Sequence, residues 1–276
     1  MYIIELGFFI ASLAILIPTV IIFIIVLIKR RTGFGKPAVK SSGKIEKSAV
    51  ILQIVSLICL TLSIICRTIA TGHGPFSNMY EFTIVFSWGI LAVGLFFWQK
   101  YRITAVNLAS TIIAVILLVI ALQLPSRYEE LVPALQQSLL LSTHVAVAIV
   151  AYGSFTTSFV AAILYLWQNS RKQHDIASLK VLDDISYQAV KIGFPFMTLT
   201  IILGAIWADI AWGSYWSWDP KETASLVTWL LYAAYLHTRF LNQWRGARSA
   251  ILLVIGFCAV LFTFFGNYIF SGLHSY

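Results

Sequence analysis

The chain has 276 residues, of which 59 % are hydrophobic and only 11 % charged, and its net charge is +8. Apolar runs of about twenty residues, the length that spans the hydrocarbon core of a bilayer, recur to the end of the chain; they exclude a water-soluble globular protein and predict an all-α, polytopic membrane protein. In such a chain the positive charge is a topogenic signal beside anionic lipid, so no nucleic-acid partner is expected.

Eight helices are predicted. The first is Leu6 to Ile28; the apolar start "MYIIELGFFI" holds an acid and no basic n-region, so a retained span is expected rather than a cleaved signal. The stretch 29–47, "KRRTGFGKPAVKSSGKIEK", reads as a flexible basic linker. Helix two, Ser48 to Ile69, leads into "TGHGPFSN", a Gly-rich loop in which His73 is as readily a turn residue as a functional one. Helices three (Tyr80 to Trp98) and four (Ile103 to Gln123) precede the loop 124–137. Helix five, Ser138 to Trp167, carries His144 about two turns from its start. The polar loop 168–191 holds His174, an ordinary solvated side chain. Helices six (Ile192 to Ala208), seven (Thr223 to Phe240) and eight (Ala250 to Ser271) follow, with His274 just past the last.

Alternate loops, together with Arg239 at a helix end, hold 16 of the 19 Lys and Arg residues and leave Arg67, Arg127 and Lys221 for the opposite side. Basic residues stay on the cytoplasmic side, so both termini are expected to face outward. Residues 1–276 then form a single integral membrane domain, with 207–222 as an extracytoplasmic loop. Cys59, Cys66 and Cys258 all fall inside apolar runs without a CxxC or Cys/His ligand spacing, and read as packing residues.

The loop before helix seven is "WGSYWSWDPKE", which gathers three of the nine tryptophans into eleven residues. An interfacial aromatic belt accounts for Trp207 or Trp244 but not for Trp212, Trp216 and Trp218 packed with Gly213, Asp219 and Pro220. Asp219 caps the next helix, Pro220 takes its first position and Glu222 its first turn. The expected result is a rigid aromatic platform at the lipid boundary, suited to a large, flat, largely apolar ligand. His144 and His274 reach the same membrane face and could supply axial nitrogens to a metal held there; planar, apolar and iron-bearing together point to haem. His237 lies fifteen residues beyond Glu222, roughly 22 Å deeper at ~1.5 Å per residue. Glu222, Leu226, Trp229, Ala233 and His237 fall within about 80° of one helix face. An imidazole at that depth is a functional candidate by default.

These residues resemble the CcsA (also ResC) family of system II cytochrome c biogenesis. The resemblance rests on residues 212–239, "WGSYWSWDPKETASLVTWLLYAAYLHTR", which are similar to that family's WWD domain and following helix. "GHGPFSNMYEF" (72–82), "LSTHVAVAIVAYGSF" (141–155) and "GNYIFSGLHSY" (266–276) support it in the expected order. CcmC and CcmF share WWD motifs and paired outer histidines, but "WDPKET" with "YLHTR" looks more like CcsA. The resemblance implies that His144 and His274 ligate the iron of haem b at an external site and that His237 ligates it at a transmembrane site. It further implies that Trp212, Trp216, Trp218 and Asp219 form the platform, and that Lys221 and Glu222 help position haem or its propionates. The implied partners are a separate CcsB (ResB) membrane subunit, apocytochrome c with its CxxCH segment, and a thioredoxin-like thiol reductant upstream. The implied setting is a bacterial cytoplasmic membrane or a thylakoid membrane, the implied activity part of a holocytochrome c synthase. Two other functions fit a chain of this pattern: a haem exporter without synthase activity, and a HemX-like regulator of tetrapyrrole synthesis.

Overall fold

The computed structural model describes residues 1–32, 43–128, 138–171, 177–241 and 244–265. Among these there are eight α-helices and no strand: α1 (Tyr2–Thr32), α2 (Lys44–Thr71), α3 (Met79–Tyr101), α4 (Thr104–Ala121), α5 (Ser138–Arg171), α6 (Leu179–Trp212), α7 (Pro220–Phe240) and α8 (Ala247–Phe265). Seven of the eight are long and apolar enough to cross a membrane. The exception is α7, whose first turn carries Glu222 and whose last turn carries His237 and Arg239.

The largest departure from the expected boundaries is α6. It starts at Leu179, thirteen residues before Ile192, inside what reads as a polar loop. Its buried residues Leu182, Ile185, Ser186, Ala189, Val190, Gly193 and Met197 recur three and four apart. The early part is therefore an amphipathic helix that packs on one face and keeps its charges on the other. At ~1.5 Å per residue its 34 residues extend about 51 Å, well beyond a bilayer core.

Helices α1 to α4 form one compact unit and α5 to α8 a second. The first is stapled by buried polar pairs. Ser12 meets Ser56 at 2.8 Å between α1 and α2. The amides of Gln53 and Asn107 exchange hydrogen bonds of 3.2 and 2.8 Å between α2 and α4. Thr104 donates to the buried carboxylate of Glu46. At one end of the unit Arg67, only 2 % exposed, donates to Glu81 at 2.6 Å and to Glu5 at 3.2 Å, and also to the carbonyls of Ser126 and Arg127.

The second unit, which holds the tryptophan loop, has an aromatic interior. Phe155 of α5 stacks on Tyr232 of α7 with ring centroids 3.6 Å apart, and Phe159 stacks on Phe257 of α8 at 4.2 Å. Trp229 of α7 donates its indole N–H to Thr198 of α6 at 2.9 Å. Toward the C-terminal end of α7, Arg239 holds Asp183 of α6 through two hydrogen bonds of 2.7 and 2.6 Å. That bidentate geometry fixes the rotation of α7 against α6. The three cysteines are free; Cys59 and Cys66 are half-buried, whereas Cys258 is exposed.

Candidate functional site

The tryptophan loop is built by its two flanking helices. α6 ends because Gly213 adopts φ +75°, the left-handed conformation that glycine enters without a Cβ penalty, and returns its N–H to the Asp209 carbonyl at 2.8 Å. α7 begins on the expected capping box. Asp219 accepts from the backbone N–H of Lys221 at 3.0 Å, and Glu222 reaches back to the backbone N–H of Asp219. Glu222 does more than cap. Its Oε2 also accepts the N–H of Ser217 at 2.8 Å and the Ser217 hydroxyl at 3.2 Å. One carboxylate oxygen thus ties the loop to the helix it precedes.

Trp218 adopts φ +60°, rare for a bulky residue, and its side chain is 68 % exposed. Thr223 donates its hydroxyl to the Trp218 carbonyl. The indoles are not coplanar: Trp216 and Trp218 meet edge-to-face at 5.8 Å and 89°, and Trp212 packs edge-on against the buried Trp207 at 4.7 Å. A planar ligand would therefore meet ring edges and single ring faces here rather than a flat slab.

His144 of α5 belongs to the same unit. Its Nδ1 lies 2.9 Å from the backbone carbonyl of Thr200 in α6. A carbonyl can only accept, so Nδ1 carries a proton; in the neutral ring Nε2 then keeps its lone pair, the form a metal ligand requires. The ring rests against Gly204, where a Cβ would lie 3.0 Å from its Cε1. Lys221 stands within electrostatic range of the same ring. In the first turn of α7, Lys221 has its ammonium pushed down to about 8 by loss of water, a shift that Asp219 partly opposes. Lys221, which follows the tryptophan loop directly in the chain, thus lies in electrostatic range of an imidazole: a lysine able to meet an anion and a nitrogen able to ligate belong to the same unit.

Of the other candidates, some have surroundings of their own and the rest lie outside the described residues. His274 and the segment "GNYIFSGLHSY" lie outside them, as does His174. His237 is exposed on α7, while Glu222, Leu226, Trp229 and Ala233 of the predicted shared face are half-buried. His73, in the first unit, is 9 % exposed and donates Nδ1–H to the Gly74 carbonyl at 2.8 Å, beside the ring of Phe76. Sequence reasoning missed Thr200, Gly204 and the loop-tying role of Glu222. The signal available for Gly204 was a glycine in a helix interior, where it costs about 1 kcal/mol against alanine.

Residues 76–274 match the family described as cytochrome C assembly protein. The chain is 37 % identical over 250 residues to the cytochrome c biogenesis protein CcsA of Guillardia theta, covering 80 % of this chain and 83 % of that one. It is 38 % identical over 239 residues to CcsA of Chlamydomonas reinhardtii, covering 82 % and 67 %. With a CcsA of Prochlorococcus marinus the figures are 32 % over 290 residues, covering 92 % and 90 %. Among solved structures, the cytochrome c haem lyase CcmF superposes with a TM-score of 0.71 at 17 % identity, covering 95 % of this chain and 46 % of that one; the likeness is one of fold.

Proposed function

The chain belongs to the cytochrome c assembly protein family, on its CcsA branch, and from that premise we propose that it is the haem-handling subunit of a system II cytochrome c synthase. It moves haem across the membrane and presents it at the tryptophan loop for covalent attachment to the CxxCH segment of apocytochrome c. The observation that supports this reading is His144, whose Nδ1 is engaged by the Thr200 carbonyl and whose ring lies within electrostatic range of Lys221, the residue that follows the tryptophan loop. The residues present suit haem: an imidazole lone pair for the iron, an ammonium for a propionate, and indole surface for the porphyrin.

In this reading His144 and His274 ligate the iron from opposite sides, and His237 ligates it in transit. Trp212, Trp216 and Trp218 border the porphyrin, with the loop's shape set by Asp219 and Glu222. The haem vinyl groups supply the electrophile: each substrate S–H adds across one vinyl C=C to give a thioether, with no net gain or loss of electrons. Lys221 orients the cargo through a propionate, and the loop brings the substrate cysteines to the vinyl edge. The cysteines must arrive reduced, which calls for a thioredoxin-like reductant upstream. In this reading α7 crosses the membrane although its composition does not mark it as a span; an imidazole exposed on it is then costly unless something covers it, and a CcsB-type subunit supplying the second transmembrane ligand would do so beside His237. The basic loops face the cytoplasm and the tryptophan loop faces outward, in a bacterial cytoplasmic or a thylakoid membrane.

The test is an absorption spectrum of the protein purified with and without its CcsB-type partner. Wild type should show a Soret band of haem b. His144→Ala and His274→Ala should lose haem from the external site and regain it with added imidazole, and His237→Ala should lose the transmembrane population. A colourless wild-type complex would sink the reading.

A further inference from the structure

We infer that the Thr200 carbonyl and the bare Cα of Gly204 form a positioning site for His144: together they set its tautomer and ring angle so that Nε2, and not Nδ1, is presented for ligation. The inference rests on the haem-handling reading for its purpose, and on α5 and α6 alone for its geometry.

In an α-helix the carbonyl of residue 200 already accepts the N–H of residue 204. A carbonyl has two lone pairs, and the second is the one that meets His144 Nδ1 at 2.9 Å. The approach needs space on the α6 surface one turn further on, where residue 204 sits. There a Cβ would come 3.0 Å from His144 Cε1 and 3.3 Å from Nδ1. Any side chain at 204 therefore meets the part of the ring that makes the hydrogen bond. Thr200 anchors the acceptor in turn, its own hydroxyl donating to the Phe196 carbonyl at 2.8 Å. Glycine, a poor helix former, thus stands where the Nδ1–Cε1 edge of the ring meets the helix.

The consequence is chemical. A neutral histidine whose Nδ1–H is held by a carbonyl can ligate only through Nε2, and the hydrogen bond raises the basicity of the ligating nitrogen. Thr200 and Gly204 are positioning residues: neither touches the cargo, and each acts through His144. Loss of such an outer partner typically lowers metal affinity by about ten- to a hundredfold.

The experiment uses the full chain with its CcsB-type partner, in wild-type, Gly204→Ala and Gly193→Ala forms. Gly193 is the packing control, because a Cβ there would lie 2.8 Å from Phe155 Cε1 and away from His144. In haem-free protein carrying ¹⁵N-histidine, the His144 signals, assigned by their loss in His144→Gln, should show a protonated Nδ1 and an unprotonated Nε2. Gly204→Ala should mix the tautomers, and in titrations with haem b should weaken binding at the external site by about tenfold or more. Gly193→Ala should lower thermal stability while leaving the tautomer and the affinity as in wild type. An Nε2-protonated His144 in the wild type would overturn the inference, as would a Gly204→Ala protein with unchanged tautomer and affinity. The tautomer is measured without haem, so a wild type that shows the expected signals but takes up no haem contradicts the functional reading and leaves the positioning site standing.

Discussion

Lys221 shows how one side chain can be set for an anion before any anion arrives. Its charged form is disfavoured by loss of water, and it stands in the first turn of α7, where the helix dipole also opposes a cation. The cost of that charge is present in full below about pH 8, the folded value, and fades as pH rises toward the ordinary 10.5, so stability should rise through that window. Lys221→Met should flatten the rise. The same lysine should react with an amine-acylating reagent with a midpoint near pH 8, and bound haem should move that midpoint upward if a propionate pairs with it. Trp218 poses the reverse case, since its left-handed backbone costs a non-glycine residue about 1–2 kcal/mol. Trp218→Gly should leave thermal stability equal or higher while reducing haem retention, read from circular dichroism melts and the Soret band. A variant that lost both together would show that the indole serves the fold instead.

At the scale of elements, the start of α7 was legible from Asp219, Pro220 and Glu222, because a cap is local chemistry written in adjacent residues. Glu222 was legible as a cap but not as the tie that closes the loop, since its bonds to Ser217 depend on how the chain turns back at Gly213. A glutamine at that position keeps one accepting oxygen. Glu222→Gln should therefore be near neutral in stability, whereas Glu222→Ala should cost about 1–2 kcal/mol; a Gln variant that kept its melting temperature and lost haem would give Glu222 a direct role. The early start of α6 escaped a search for apolar runs because Lys180, Asp183 and Asp184 interrupt it, although the buried face recurs with helical spacing. The Thr200–His144 contact was invisible for a different reason: a backbone carbonyl leaves no trace in the sequence.

Over the whole molecule, the proposed orientation rests on the distribution of basic residues, and the three exceptions to it need a physical account. Arg67 is one of them, and it does not act as a free charge: Glu5 and Glu81 bind its guanidinium, and two carbonyls accept further hydrogen bonds from it. Removing it leaves two buried carboxylates without their partner, so Arg67→Ala should cost about 3–5 kcal/mol in a denaturation experiment. Lys221 is the second, held by the start of α7 within electrostatic range of His144. With these two assigned to local tasks, Arg127 alone stands against the positive-inside reading, and the orientation rests on the remaining sixteen cations. Two exposed positions in the second unit test it, Tyr215 in the tryptophan loop and Lys180 in the first turn of α6. With Cys59, Cys66 and Cys258 replaced by serine, Tyr215→Cys should be labelled by a membrane-impermeant maleimide on intact cells. Lys180→Cys should react only after the membrane is opened. The opposite pattern would place the tryptophan loop on the cytoplasmic face, where haem presented to an outer apocytochrome would have no path to it.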